Sequence, residues 1–362
     1  MAVPAFDKKE LKIVREIPGR FGGPPVPVYS FPVTPKEAYV AFMKKEPIWQ
    51  IMGMGVESRL FAPRFLPDNV SRAFVAEEKP FDPNDGGGPD MFSIEWEYVP
   101  LVGGSIVRPG APLMSDANEW REKIVFPDID SWDWEGSAKE NNDTYLTTDT
   151  YNTCWFQTGW FERLISFMDF ENALMALFDE DQQDATNELF TAITDQYIKI
   201  FDKFITYFPN LNGFTIHDDW GSQKETFFSP AVVEEMIVPH MRRVTDFIHS
   251  KGKFCELHSC GQILKQVPNM IAAGWDAWAG QAMNDTHKIY ELYGDKILIG
   301  VIPEPLDPET TSEEEQRAAA KAYADKFCNP KKPSYLNGFA LAPAFREELY
   351  IRSRENYSAA GK

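Results

Sequence analysis

The chain has 362 residues, 43% of them hydrophobic and 14% aromatic, which is enough for one large core. Its 55 acidic and 36 basic residues leave a net charge of −19, which excludes DNA or RNA as a partner, because phosphate binding needs clustered cations. No apolar run reaches the roughly 18 residues needed to cross a bilayer, residues 1–6 lack a secretory pattern, and four cysteines are too few for a disulfide scaffold, so a cytoplasmic protein is expected.

In chain order, the first 35 residues are rich in proline and glycine (Pro18, Gly19, Gly22, Gly23, Pro24, Pro25, Pro27) and read as an irregular lead-in. A short helix is predicted over 35–45. A loop-rich region then runs to about residue 134, with the acidic, glycine-containing stretch 82–90 as a mobile surface element. From about residue 150 helical and strand-like segments alternate. Helices are predicted over 159–178 and 181–208 and a buried strand over 213–217. Ser229 and Pro230 then open a helix that runs to about 250, closed by Gly252. Strands at 253–258, 277–281, 296–302 and 335–341 alternate with helices at 263–273, 285–293, 311–327 and 347–359.

This alternation predicts an α/β fold, a (β/α)8 TIM barrel with N-terminal elaboration. Residues 1–60 form the lead-in packed on the barrel and 61–362 the catalytic barrel domain. A doubly wound open sheet would alternate similarly, but the chain has no G-x-G-x-x-G after a strand and no G-x-x-x-x-G-K-[ST]. In a barrel the chemistry lies at the C-terminal ends of the strands.

The segment 253–262 ends such a strand. Alternation along it puts Glu256, His258 and Cys260 on one side. An imidazole and a thiol two residues apart, followed by Gly261, suit half of a zinc site; the alternative is a buried thiol beside a hydrogen-bonded histidine. A second strand end carries His217-Asp218-Asp219-Trp220-Gly221-Ser222-Gln223. Of its two adjacent carboxylates one is expected to face the cavity, as general acid or base, metal ligand or hydrogen-bond anchor, unless the segment is an Asp-rich turn. His217 is either a ligand or a satisfied core histidine, the latter favoured. Further strand ends supply Gln281 and, between two prolines, Glu304. Trp96, Trp155 and Trp220 are candidates for an apolar or aromatic substrate pocket. No G-x-S-x-G elbow or H-E-x-x-H helix is present.

Several of these segments together resemble the uroporphyrinogen decarboxylase superfamily. They are 217–223, Ser229-Pro230 with Pro239, Leu257-His258-Ser259-Cys260-Gly261, and Gly274-Trp275-Asp276 with Gln281. Upstream, Trp96-Glu97-Tyr98-Val99-Pro100, Gly103-Gly104, Pro109-Gly110, Phe126-Pro127-Asp128 and 160–164 fit the same group. The resemblance implies a (β/α)8 barrel. Decarboxylases of the group carry an N-terminal arginine-rich motif for porphyrinogen carboxylates, which Arg15 and Arg20 do not reproduce. Its cobalamin-dependent methyltransferases hold zinc through an H-x-C motif, matched by His258 and Cys260. In the coenzyme M methyltransferases a ligand cysteine follows the last strand; here that stretch reads Gly338-Phe339-Ala340-Leu341-Ala342-Pro343, so Asp219, Glu256 or Glu304 is expected to complete the set.

The D-D-W-G-S-Q stretch is similar to methyl-donor-side enzymes of anaerobic O-demethylase systems. That likeness implies transfer of a methyl group from a small donor, a methoxylated aromatic, to the Co(I) corrinoid (cobalamin) of a partner protein. Asp219 or His217 would protonate or orient the phenolic oxygen, and Trp96, Trp155, Asp218, Trp220 and Gln281 would bind substrate. A homodimer is among the assemblies the sequence allows. The alternatives are a metal-independent decarboxylase or lyase with Asp219 as acid, and a non-catalytic, corrinoid-binding or chaperone barrel.

Overall fold

The computed structural model describes residues 4–19, 23–53, 55–101, 103–307, 310–338 and 341–359; Arg20, Gly22, Phe339 and Ala340 lie outside them. The chain divides into two compact units. The first takes residues 1–59, 148–152 and 276–362, the second 60–147 and 153–275. In both, parallel strands alternate with helices, the α/β arrangement of the (β/α)-barrel type that the sequence predicts.

In the first unit the lead-in is more regular than expected. Ile13–Ile17 pairs antiparallel with Val26–Tyr29, and Pro27 sits opposite Glu16. A two-stranded ribbon tolerates a proline because each strand has a free edge, and Val26, Val28 and Tyr29 favour extended backbone. The helix Pro35–Met43 opens on a capping box. Thr34 Oγ1 accepts from Glu37 N at 3.2 Å, and the Glu37 carboxylate accepts from Thr34 N at 2.9 Å. The parallel strands Ala277–Ala279, Leu298–Val301 and Tyr335–Leu336 lie side by side. The last is shorter than predicted: Asn337 N makes a last bond to Val301 O at 2.9 Å, and its Nδ2 donates to Gly280 O at 2.6 Å. The helices Thr286–Tyr293, Glu313–Phe327 and Pro343–Ala359 follow these strands, the last beginning four residues earlier than expected. Glu10 is buried and accepts from Tyr350 OH at 2.7 Å and from Arg354 Nε at 2.8 Å.

In the second unit the supposed loop region contains a three-stranded antiparallel sheet, Gly88–Pro89, Glu95–Val99 and Gly104–Val107. The alternation Glu95-Trp96-Glu97-Tyr98 carries the period of a half-buried strand, with Trp96 buried. The strand Tyr151–Phe156, of which residues 153–156 belong to this unit, leads into the helix Trp160–Ala176, which is interrupted at Asp169 (φ 61°, ψ 165°). The helix Glu180–Tyr207 turns Leu189, Phe190, Ile193, Tyr197, Phe201 and Phe204 inward at helical spacing. The strands Leu211–His217 and Phe254–His258 pair in parallel. The single helix expected over 230–250 is two, Pro230–Met236 and Val238–Ser250, parted at Ile237. Pro239 has no N–H and fits only the first turn of a helix, so a new helix starts there. Arg163, fully buried, pairs with Asp68 and with Asp90 (2.6 Å), and Trp96 Nε1 donates to Asp90 at 3.0 Å. This joins the small sheet to the helix Trp160–Ala176.

Glu57, in the first unit, is buried with one oxygen 3.3 Å from Trp49 Nε1 and the other unpartnered among the described residues. Burial lifts its carboxyl to about 7, against a smaller pull from Arg346. Below about pH 4.5 the group is protonated in folded and unfolded chains alike and contributes nothing. Between that value and pH 7 only the unfolded chain ionises, so stability falls as pH rises through this window, by about 3 kcal/mol in all. Glu57→Gln removes that slope: urea unfolding of the variant and the parent is expected to diverge from pH 5 to about pH 7, with the variant the more stable, and to run parallel above that. Curves parallel over the whole range would show that Glu57 ionises normally.

Candidate active site

The strands Leu211–His217 and Phe254–His258 end together. His217 is the register partner of His258, two pairs beyond Thr215 and Glu256, and the two imidazole rings stack with centroids 5.1 Å apart and 19° between planes. Beyond the strand end the next two carboxylates part. Asp218 turns to the helix Trp160–Ala176 and accepts from Phe161 N (3.3 Å), Glu162 N (2.9 Å) and Trp220 Nε1 (3.0 Å). It satisfies N–H groups that the first turn of a helix leaves open. Burial raises its carboxyl to about 7, although these donors pull the other way. Gly159, just before the helix, donates its N–H to His217 O at 2.6 Å, and a Cβ on it would stand 2.5 Å from Asp218 Cβ.

Asp219 faces the other way. Its Oδ1 accepts from Cys260 N at 2.6 Å and lies 3.4 Å from His217 Nε2, while Cys260 Sγ lies 3.3 Å from His258 Nε2. One ligand-capable atom from each of His217, Asp219, His258 and Cys260 thus falls within 4.8 Å of the other three. The loops that carry them touch backbone to backbone. Gln262 N donates to Ser222 O at 2.7 Å, and a side chain on Gly261 (φ 88°) would overlap Gly221.

Two further residues complete the surroundings. Glu162 Oε2 lies 2.8 Å from His217 Nδ1 and 3.3 Å from Arg72 Nη2. Burial would raise Glu162, yet Arg72 and His217 hold it at about 2. Burial lowers His217, but the Glu162 carboxylate outweighs it and the net shift is upward. His258 goes the other way: burial and the neighbouring His217 push it to about 3, so its ring is neutral. Burial and the Asp219 carboxylate push the Cys260 thiol well up, and burial raises Asp219 itself, partly offset by His217.

The remaining residues singled out above are scattered more widely. Trp155 is half-buried, with its ring 5.0 Å from that of His258 and 5.9 Å from that of His217. Trp96 is buried on the small sheet under the guanidinium of Arg72, and Trp220 is fully buried on Asp218. Glu256 is half-buried in mid-strand and is not one of the four converging groups. Gln281 and Glu304 belong to the first unit, Gln281 exposed and Glu304 83% exposed at 3.9 Å from His287. A period-2 reading finds partners along one strand; Glu162 and Arg72 arrive from other segments, Glu162 read only as part of the stretch 160–164 and Arg72 within the loop-rich region.

No family model matches the chain, and no curated protein does. Among solved structures it is similar to a methyltransferase from Methanosarcina mazei, with a TM-score of 0.56 and 15% identity over 91% of this chain and 99% of that one. At that identity the likeness is one of fold, and it agrees with the α/β-barrel class.

The packing of Gly159 against Asp218 makes a direct test. Gly159→Ala is expected to destabilise the protein by about 1–3 kcal/mol through overpacking. Asp218→Ala is expected to cost more than Asp218→Asn, which keeps one acceptor oxygen. Urea titration of the three variants checks both. Parent-like stability of Gly159→Ala would mean that this close approach is not a constraint.

Proposed function

We propose that the protein is a zinc-dependent methyltransferase. It moves a methyl group from a small donor, a methoxylated aromatic, to the Co(I) corrinoid of a partner protein. The observation that carries this reading is the convergence of His217, Asp219, His258 and Cys260. One thiol, two imidazoles and a carboxylate within reach of a single point form a donor set that suits zinc. The His258 ring is already neutral, as a ligand must be, and the Cys260 thiol would give up its proton on binding the metal. His258 and Cys260 would hold the ion with Asp219 as the third ligand.

Bound there, zinc would supply Lewis acidity toward the ether oxygen of the donor. The chain's own side chains would do the rest. Glu162 on Nδ1 and Asp219 facing Nε2 fix the His217 ring from both sides. His217 then gives its proton to the aryl oxygen as the methyl group departs, so the bonding pair of the broken C–O bond ends in an O–H bond. Trp155, beside His258, offers a face for the donor's ring. The corrinoid acceptor is supported by the likeness of the H-x-C segment to cobalamin-dependent methyltransferases and by the similarity of fold to a methyltransferase. No helix among the described residues is long and apolar enough to cross a membrane, and the proposal has enzyme and partner meet in the cytoplasm. A second reading, a metal-independent decarboxylase or lyase with Asp219 as acid, draws on the raised Asp219 carboxyl.

Metal analysis separates the two. About one zinc per chain is expected, lost in His258→Ala and in Cys260→Ser. Purified protein without zinc, never exposed to chelator, would overturn the first reading in favour of the second. His217→Gln is expected to keep its zinc and to slow methyl transfer to free Co(I) cobalamin by roughly 10²–10⁴-fold. Loss of zinc in that variant would instead make His217 a ligand.

A further inference from the structure

Beside the four converging groups lies a set of donors and rings that the reaction above leaves unused. Arg72 closes the helix Pro67–Ser71; the chain then turns through Ala73 (φ 57°) and presents Phe74, whose N–H donates to Asn69 O at 2.9 Å. The guanidinium carbon of Arg72 stands 4.6 Å from the centroid of Trp96, a ring itself fixed to Asp90, and Nη2 reaches Glu162 at 3.3 Å. The Arg72 side chain is 14% exposed and so largely withdrawn from water. Among the described residues Glu162 is its one hydrogen-bond acceptor, at the long end of the range, which leaves most of its five N–H donors unspent. Trp155 repeats the pattern. Its ring lies 5.0 Å from Phe74 and 5.0 Å from His258, and its buried Nε1 has no acceptor among the described residues. Buried donors are costly to leave unmet; Trp155 stands against the imidazole pair, and Arg72 shares the carboxylate of Glu162 with His217. Phe74 is 37% exposed, so this wall is reachable from solvent.

We propose that Arg72, Phe74 and Trp155 form the subsite that reads the methyl donor, and that the donor is an aromatic acid. Its ring lies against the Trp155–Phe74 pair and its carboxylate binds Arg72. The identity of the reaction rests on the methyl-transfer reading; the binding claim stands by itself. A planar guanidinium, held by Trp96 on its face and Glu162 at one edge, keeps a forked pair of donors for a carboxylate. The charge of the chain sharpens the argument. At −19, and with Asp219 and Glu162 close by, an anionic substrate would be turned away unless a cation were kept for it.

The test compares 4-methoxybenzoate with the neutral, near-isosteric 4-methoxybenzamide on the full-length, zinc-loaded chain, by calorimetry. The benzoate is expected to bind at least tenfold tighter. Arg72→Gln is expected to remove that preference while leaving the benzamide affinity within about twofold, and Arg72→Lys to restore part of it. Phe74→Ala, at an exposed position, is expected to weaken both ligands alike. Equal binding of the two ligands to the parent protein would overturn the proposal. So would an equal loss of both in Arg72→Gln, since Arg72 would then serve only to place Glu162. Turnover distinguishes the two layers. Tight benzoate binding without methyl transfer to Co(I) cobalamin supports the subsite and defeats the reaction; methyl transfer from neutral ethers alone supports the reaction and defeats the subsite.

Discussion

The parallel register between Leu211–His217 and Phe254–His258 sets His217 opposite His258, and strand alternation then sends both rings to one side. A slip of one residue would turn one ring to the other face and draw Cys260 away from Asp219. The contacts at the candidate site follow from this pairing. Cys260 comes two residues after His258 and Asp219 two after His217, so each loop returns a second ligand-capable group to the side its histidine already occupies. Close backbone approach keeps the two loops together: a side chain on Gly261 would run into Gly221, and one on Gly221 would crowd the backbone of Gln262.

The first turn of the helix Trp160–Ala176 ties this strand pair to the rest of the second unit. Asp218 holds its N–H groups, and Gly159 lets the two backbones approach. Two consecutive residues of that turn then serve different ends. Glu162 orients His217, while Arg163 is buried in ion pairs with Asp68 and Asp90. A buried cation of this kind adds little to net stability, but removing Arg163 would leave two buried carboxylates without a counter-charge, so it fixes one arrangement of the helix against the small sheet. The placement of Arg72 over Trp96 depends on the same anchor, because Trp96 hangs from Asp90.

How much of this the sequence displayed depended on whether the signal was local. The βα alternation after residue 150 was legible because each element carries its own periodicity and caps. The pairing of His258 with Cys260 on one side, and the parting of Asp218 from Asp219, follow from the two-residue period of extended backbone. The antiparallel sheet around Trp96 was hidden by the glycines and prolines between its short strands. The break at Ile237 was visible only as Pro239, which marks a helix start as readily as a kink. Glu162 and Arg72 could not be found in this way. Each is an ordinary charged residue at a helix end, and each gains its meaning from a partner more than 50 positions away.

The interleaving of the two units has a consequence for the order in which they can form as the chain is synthesised. The second unit has all its residues once Trp275 has been added, and its candidate site can assemble from that point. The first unit must wait. Glu10 is made long before its partner Arg354, which comes 344 positions later, and the three parallel strands of that unit all follow residue 276. The nascent chain therefore carries an unpaired Glu10, and the exposed apolar face of the helix Pro35–Met43, through most of its synthesis. On a ribosome the unit that carries the candidate site would be finished first, and the segment before residue 60 would be the part in need of a chaperone.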